Sequence, residues 1–220
     1  SADRDLNYDL PVLRQRSRDA ARNIPLATAA INRPTEAVVG DGIRPVPDID
    51  AAALGISEDQ AQSIKQTALA EFASYAETVE FDAERRLSFP MMQSVAFENM
   101  LMSGDALAHK EIISRAGNVY RCKWRMIEAD RLSNPQGLPD TDKLVSGVEH
   151  DSHGAPAYYH VSSFHPGDML WHGPRQWQRV RAFGPLTGRP LVLHLTGPHQ
   201  RIGQTRGAPF LAPIMEELKQ

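Results

Sequence analysis

The chain has 220 residues, of which 41% are hydrophobic and 23% are charged, and its formal net charge is −3. This balance is typical of a soluble globular protein, and the length is enough to bury a substantial core. No stretch approaches the roughly 18 apolar residues of a membrane-spanning helix. The N-terminus SADRDLNYDL lacks the apolar region of a signal peptide. A single cysteine excludes an internal disulfide and any multi-cysteine zinc site within one chain, so we expect a reducing setting.

Charge is unevenly distributed along the chain. Residues 48–111 hold twelve acidic and four basic residues, whereas residues 169–215 hold six arginines and no acidic residue. Such separated blocks can steer an anion such as nucleic acid to one face. They can also make neighbouring copies attract each other, acidic face to basic face, in a ring. The bland alternative is that both blocks are simply solvated surface.

The first predicted helix covers residues 9–23. Asp9 is a suitable N-cap, and Pro11 lies in the first turn, where its missing N–H costs nothing. Three basic residues recur every fourth position and therefore share one face, namely Arg14, Arg18 and Arg22. This stripe is either a surface that grips phosphate or, more commonly, a solvated face.

Three further helices are predicted before residue 104. One begins after Asn23 and should be kinked or broken at Pro34, because proline lacks the N–H that a helix needs. Another begins at a capping box formed by Ser57 and Gln60. Its apolar stripe has helical spacing and consists of Ala61, Ile64, Ala68, Phe72, Tyr75 and Val79. The last runs from about Pro90 to Ser103, and Gly104 suits its C-terminus.

After Gly104 the apolar period changes to two, which is the period of strands. Residues 106–128 predict a hairpin with its turn at residues 115–118, and residues 144–161 predict a second with its turn at 151–154. The stretches WQRVRAF and LVLHLT predict two more strands, and a last helix is predicted from Pro209. The predicted fold class is therefore α+β, with N-terminal helices followed by a mostly antiparallel β-sheet region.

No stretch of the sequence points clearly to a reaction. There is no G-x-S-x-G elbow and no P-loop. Cys122 shares one strand face with Tyr120, Trp124 and Met126, so we expect it in the core rather than as a nucleophile. A metal-dependent hydrolase is one alternative, because imidazole and carboxylate groups cluster at His150, Asp151, His153 and His160. Surface histidines around a turn explain this cluster better. We predict no catalytic residue, no metal ligand and no cofactor.

A second alternative is a stand-alone nucleic-acid-binding module. It would combine the helical stripe of Arg14, Arg18 and Arg22 with one face of the predicted second strand, which carries Arg121, Lys123 and Arg125. Lysine and arginine contacts to phosphate release counterions, so this alternative predicts duplex binding that weakens steeply with salt.

Three stretches, in order, resemble the portal proteins of lambda-type tailed phages. The first is LRQRSRDAARNIPLATAAINRPTEAVVGDGIRPVP, which is similar to the family's arginine-rich N-terminal helices and VVGxGIRP turn. The second is MIEADRLSNP followed by GVEHDSHGAPAYYHV, and the third is HLTGPHQRIGQTRGAPFLAPIMEELKQ. The resemblance covers essentially the whole chain. It departs from the family pattern at Pro34, at Ile202, where proline is usual, and at an acidic residue missing before the last strand.

The resemblance implies a fold and a domain organisation. Residues 1–47 would form an N-terminal helical arm, residues 48–208 a wing-like α+β domain, and residues 209–220 the start of a truncated stem helix. The family's stem and clip would follow, so the chain is expected to be the wing-like portion of a portal.

The resemblance also implies a structural function rather than an enzymatic one. About a dozen copies would form a ring at one capsid vertex, through which terminase packages double-stranded DNA and from which DNA is ejected. The expected partners are further copies of the chain, the terminase large subunit, capsid or scaffold proteins and head–tail connector proteins, with no membrane. Localisation would be the virion, after assembly in the host cytoplasm. The candidate subunit or DNA contacts are Arg14, Arg18, Arg22, Arg201 and Arg206.

Overall fold

Helices dominate the first half of the chain and strands the second, so the predicted α+β class is confirmed. The computed structural model describes residues 1–168, 174–197 and 201–215. The helices are α1 (Ala2–Asn7), α2 (Leu10–Asn23), α3 (Pro25–Val38), α4 (Ala51–Leu54), α5 (Glu58–Ala76) and α6 (Phe89–Ser103). The strands are β1 (Asp105–Ile112), β2 (Cys122–Ile127), β3 (Leu144–Val145), β4 (Val148–His150), β5 (Pro156–Ser162), β6 (Trp177–Arg181) and β7 (Val192–Thr196).

The N-terminal helices differ from the prediction in two respects. Helix α1, capped by Ser1, precedes the first predicted helix. Helix α3 runs through Pro34, so the predicted break there is wrong. Proline costs this helix one backbone hydrogen bond, but Ala27 and Ile31 are buried against α2 and α6. Because tertiary packing supplies most helical stability in proteins, it outweighs that local cost.

The capping signals of α5 and α6 are confirmed. The Gln60 backbone N–H donates to Ser57 Oγ at 3.2 Å, and the Ser57 N–H donates to Gln60 Oε1 at 2.9 Å. Helix α6 ends at Gly104, whose φ of 88° lies in the left-handed region that glycine adopts at low cost. The chain then reverses directly into β1.

The strands form two antiparallel sheets rather than one. The first has the order β2-β1-β7, and the second has the order β3-β4-β5-β6. Both predicted hairpins are present, with a bridge between Arg115 and Asn118 in the first and a turn after His150 in the second. Pairing of β7 with β1 joins segments about ninety residues apart, from Asp105 opposite Thr196 to His109 opposite Val192. The inner faces of the two sheets share one apolar core, made of Leu107, Ile127, Leu132, Val148, Tyr159, Val161, Val180, Ala182 and Val192.

A second apolar cluster joins the two ends of the chain. Leu211 and Met215 are buried in it together with residues of three helices, namely Ala20 of α2, Ala27 and Ile31 of α3 and Leu101 of α6. The three predicted segments, 1–47, 48–208 and 209–220, therefore share a core. The helix predicted from Pro209 appears as a short 3-10 turn at Ala212–Ile214, and residues 216–220 lie outside the described part.

Among the described residues, no helix combines the length and apolar character needed to cross a membrane.

Candidate functional site: a buried arginine–aspartate cluster

Asp105 is the centre of a charge cluster that the sequence analysis did not identify. It lies at the first position of β1, directly after the α6 C-terminus, and is 0% exposed. Its Oδ1 accepts a hydrogen bond from Arg14 Nη2 at 2.7 Å, and its Oδ2 accepts one from Arg206 Nε. His194 Nε2, on the paired strand β7, lies 3.1 Å from Oδ2. Three segments distant in sequence therefore meet on one carboxylate.

Arg206 is held on both edges of its guanidinium group. Besides Asp105, its Nη1 donates to the carbonyl oxygens of Leu132 at 2.9 Å and Ser146 at 2.8 Å, and its Nη2 donates to that of Ala129 at 2.7 Å. The side chain is 1% exposed. A planar, permanently charged fork suits this geometry, whereas the point charge of lysine does not. Arg206 thus attaches the last described segment to both sheets.

Arg14 brings α2 into the same cluster. Its Nε donates to the Ser103 carbonyl oxygen at 2.7 Å, at the end of α6, and its Nη1 lies 3.5 Å from Asp130 Oδ1. Asp130 also accepts a hydrogen bond from Arg18 and lies 3.3 Å from His165 Nε2. We call Arg14, Asp105, Asp130, His194 and Arg206 the buried charge cluster.

The arginines determine the ionisation of the carboxylates in this cluster. Burial alone would raise the pKa of Asp105, but the charges of Arg206 and Arg14 more than offset it and hold that pKa well below its usual range. Burial also opposes ionisation of Asp130, and the hydrogen bond from Arg18 and the charge of Arg14 lower its pKa. Burial, followed by repulsion from Arg206, lowers the pKa of Arg14 to about 10, so Arg14 stays charged at neutral pH.

These shifts predict loss of stability in acid. A carboxylate whose folded-state pKa lies below its unfolded value stabilises the fold above the unfolded pKa, and this stabilisation is lost as pH falls. We therefore expect the free energy of unfolding, from urea denaturation at a series of pH values, to fall between about pH 5 and pH 2. The decrease should be shallower in Asp105→Asn, which removes the central titrating group. An unfolding free energy that is flat between about pH 5 and pH 3 would contradict this prediction.

A close backbone contact lies beside the cluster. A Cβ atom built on Gly207 would lie 1.8 Å from the Gly104 carbonyl oxygen, and one built on Gly104 would lie 2.1 Å from the Gly207 carbonyl oxygen. The same Gly104 oxygen accepts a hydrogen bond from the Gly197 N–H at 2.8 Å. The residue after Arg206 therefore packs backbone to backbone against the α6–β1 corner. Only glycine fits at either position.

Helix α1 holds the loop that leads into this contact. Asp3 accepts hydrogen bonds from the Thr205 backbone N–H at 2.6 Å and from its hydroxyl at 2.9 Å. Asp5 forms an ion pair with Arg201 at 2.9 Å, with both side chains largely exposed. Helix α1, at the start of the chain, is thus attached to the loop at residues 201–205.

This attachment predicts a local effect of Asp3→Ala. Thr205 would lose two hydrogen bonds to a charged acceptor, and such bonds contribute roughly 1.5–3 kcal/mol when both partners are shielded. We expect faster hydrogen exchange at the Thr205 amide, measured by NMR, with little change in α6. Asp5→Ala is the matched control and should change exchange little, because an exposed ion pair contributes at most about 1 kcal/mol. Equal effects of the two variants would contradict the attachment through Asp3.

The five arginines predicted as subunit or DNA contacts differ in how far their side chains are exposed. Arg14 and Arg206 are 3% and 1% exposed, so in this fold their side chains cannot reach a partner. Arg18 is partly exposed and binds Asp130. Arg22 is exposed, and Arg201 is exposed while paired with Asp5. Only Arg22 and Arg201 keep an open side chain for the predicted contact.

The strand face proposed for nucleic acid is also partly internal. Lys123 is 0% exposed, and its Nζ bonds to the Glu80 backbone and carboxylate, so it is not available to phosphate. Arg125 forms a two-pronged ion pair with Glu111, with nitrogen–oxygen distances of 2.7 and 3.1 Å. Cys122, predicted as buried, is half-buried at the start of β2. Its neighbour Lys123 takes the inner position instead.

The histidine group has structural partners. Asp151 accepts hydrogen bonds from the backbone N–H groups of His153 at 2.8 Å and Ala155 at 2.9 Å, and so shapes the β4–β5 turn. His160 lies 3.1 Å from Glu149, which also binds Arg179. The hydrogen bond from Arg179 lowers the pKa of Glu149 to about 2. Within the described ranges, no group of three or more metal-binding side chains comes together.

The basic block at residues 169–215 is about half neutralised within the chain. Arg179 pairs with Glu149, Arg201 with Asp5 and Arg206 with Asp105. Arg175 lies over the rings of Phe164 and Trp177. The remaining two are Arg181 and Arg189, and both are exposed. The sequence suggested an attraction between the whole acidic block of one copy and the whole basic block of the next. That interpretation is too coarse, because half of the arginines in the basic block are already paired within the chain.

One signal in the sequence could have revealed Asp105. The stretch GDALA places a carboxylate at the start of an otherwise apolar strand, and a charge in such a position requires a buried partner. What the sequence does not indicate is which of 24 basic residues supplies it.

Comparison of the sequence with known proteins identifies the family. The family described as "Phage portal protein, lambda family" matches residues 1–220. The portal protein of Escherichia phage N15 is 29% identical over 207 residues, covering 93% of this chain and 38% of the relative. Portal protein B of Escherichia phage lambda is 28% identical with the same coverage. This chain thus spans about two fifths of the length of these relatives. It belongs to the lambda family of phage portal proteins.

Proposed function

We propose that this chain is part of a portal ring, the structural channel at one capsid vertex through which phage DNA enters and leaves. The observation that carries the proposal is the family match over residues 1–220. The role is architectural, and no residue is assigned to catalysis. The partners would be further copies of the chain, the terminase large subunit, capsid or scaffold proteins and head–tail connector proteins. Assembly would take place in the host cytoplasm, before incorporation into the virion.

The buried charge cluster supports a mechanical role for this part of the ring. A portal must hold its shape while DNA moves past it, so its segments need rigid attachments. Arg206 and Gly207 attach the segment that continues towards residue 215 to α6, to both sheets and, through Asp105 and Arg14, to α2. A fully hydrogen-bonded buried network of this kind specifies one arrangement strongly, because each broken bond leaves an unpaired buried charge. The segment that follows Arg206 would thus move together with the body of the chain.

The charge distribution also suits a wall along which DNA slides. Each lysine or arginine that binds phosphate adds affinity by counterion release and would slow translocation. The chain uses Arg14, Lys123 and Arg206 internally, and its net charge is −3. We propose Arg22 and Arg201 as contacts with a neighbouring copy or with passing DNA, since both are exposed. Neither the nucleic-acid module nor the metal-dependent hydrolase has support in the comparisons.

The experiment that tests the proposal is native mass spectrometry of the 220-residue chain together with electron microscopy of any large species. We expect a closed ring of about a dozen copies with a central channel, because head-to-tail contacts that close generate rings. A chain that remains monomeric at all accessible concentrations would contradict ring formation by this part of the portal.

A further inference from the structure

Helix α5 carries an apolar stripe that is covered at its ends and open in its middle. At the two ends, Ala61 and Ala76 are buried, and Phe72 packs edge-on against Phe89 with ring centroids 5.6 Å apart. Between them, on the same face, Ile64 is 49% exposed and Ala68 is also exposed. We call Ile64 and Ala68 the α5 face. Within the described part of the chain, nothing covers it.

The sequence pattern marks the α5 face as a surface meant for burial. Ile64 and Ala68 share this stripe with Ala61, which is buried, and with Phe72 and Tyr75, which are partly buried, at spacings of three and four residues. A helix in water depends on tertiary packing for most of its stability, yet residues 62–71 are almost entirely exposed. Of the charges on this helix, Glu71 and Lys65 flank the face on its two sides and Glu58 lies near its N-terminal end, whereas Asp59 and Glu77 fall on the opposite side of the helix.

A surface of opposite character lies on the hairpin connecting β6 to β7. The bridge between Phe183 and Pro190 closes this hairpin, and Leu186 lies at its tip with 97% exposure. Arg189 follows the tip closely and Arg181 ends β6 beside the Tyr158 ring; both are exposed, and in the described structure neither forms an ion pair. The whole stretch 174–197 contains no acidic residue. We call Phe183, Leu186, Arg181 and Arg189 the β6–β7 tip.

The two surfaces match in both apolar character and charge. An exposed leucine near two arginines would cover an apolar patch whose nearest charges are two carboxylates and one lysine, and complementary charges of this kind set partner choice and orientation. We propose that the β6–β7 tip of one copy docks on the α5 face of the next copy. The occupant is a second copy of this chain, so the contact is heterologous and can repeat around a closed ring. The inference rests on the proposed ring function and names the surfaces that would form it.

A heterologous contact makes a specific prediction for mixtures of variants. The face variant, Ile64→Asp with Ala68→Asp, would lose its own α5 face but keep its tip. The tip variant, Leu186→Asp with Arg189→Ser, would lose its tip but keep its face. Neither could associate with itself. In a mixture, the intact tip of the face variant would dock on the intact α5 face of the tip variant. The two damaged surfaces would form no second contact, since both carry added aspartates.

The test is native mass spectrometry of the wild type, each variant and their equimolar mixture. We expect rings for the wild type, monomers for each variant and a 1:1 heterodimer for the mixture. Val119→Asp is the matched control, because Val119 is 83% exposed on a different hairpin, and it should still form rings. All substituted residues are exposed, so circular dichroism should show folded variants.

The outcomes separate this inference from the proposed function. Rings formed by either variant alone, or no heterodimer in the mixture, would overturn the docking of the tip on the α5 face and leave the ring function intact. A wild type that forms no ring would overturn both. The inference would also be overturned if a different protein bound the α5 face and the face variant still formed rings as the wild type does.

Discussion

Replacement of Asp105 by alanine is expected to lower the free energy of unfolding by about 3–5 kcal/mol, the range measured when one partner of a buried ion pair is removed. The carboxylate is 0% exposed and is the shared acceptor for Arg14 and Arg206. Without it, two buried guanidinium groups lose the carboxylate that they share. Urea denaturation monitored by tryptophan fluorescence gives the free energy directly.

The control for this prediction is an ion pair of similar geometry on the surface. Arg179 binds Glu149 with nitrogen–oxygen distances of 2.6 and 2.8 Å, and the Arg179 side chain is 48% exposed. Glu149→Gln should therefore cost clearly less than Asp105→Ala, because solvent screens this pair. If Asp105→Ala does not fold, Asp105→Asn keeps the side-chain volume and should still be less stable than Glu149→Gln. A cost for Asp105 variants no larger than that of Glu149→Gln would show that the cluster contributes little.

Gly207→Ala is expected to be at least as damaging, for a steric reason. Its new Cβ would lie 1.8 Å from the Gly104 carbonyl oxygen, a backbone atom that no rotamer change can move. The 207 segment would have to leave the α6–β1 corner, which would pull Arg206 away from Asp105. We expect a loss of about 3 kcal/mol or more, above the usual cost of overpacking, because the obstacle is backbone. Thermal and urea unfolding would both report it.

Gly154→Ala provides the matched control for this steric prediction. Gly154 has a φ of 85°, and an added Cβ would meet no atom within 4 Å, so only the cost of the left-handed conformation remains. That cost is roughly 1–2 kcal/mol. Gly104→Ala combines both penalties, since its φ is 88° and its Cβ would lie 2.1 Å from the Gly207 oxygen. We therefore expect Gly104→Ala and Gly207→Ala to be clearly less stable than Gly154→Ala. Equal stability of the three would contradict the close approach.

Local elements of this fold could be predicted because their signals lie within a few residues of each other. The capping box at Ser57 and Gln60 and the glycine that ends α6 satisfy backbone groups in their own turn, so no distant contact is needed to find them. Both hairpins were predicted for the same reason. Where packing competes with local preference, the prediction failed. Pro34 lies inside an intact helix, because the buried face of α3 outweighs one lost hydrogen bond.

The candidate site could be predicted only in part. Both of its arginines, Arg14 and Arg206, were singled out, but as surface contacts, because helical spacing shows which residues share a face and not which face is buried. Arg14 and Arg18 share a face with Arg22, yet Arg14 is buried and Arg22 is exposed. The stripe changes environment along its length, since the N-terminal part of α2 packs beside Asp105 and its C-terminal part reaches the surface.

The sequence by itself determined the order of most helices and strands, the α+β class and the family, because periodicity, capping residues and ordered motifs are all local. Only the tertiary structure decided that Arg14 and Arg206, 91 and 101 residues from Asp105, would meet on its carboxylate. It also decided that Gly207 would touch Gly104 and that the middle of the α5 stripe would stay open. Such contacts depend on how β7 pairs with β1 and how the chain ends pack on α6. The sequence around a charged residue does not indicate which distant residue will pair with it in the fold.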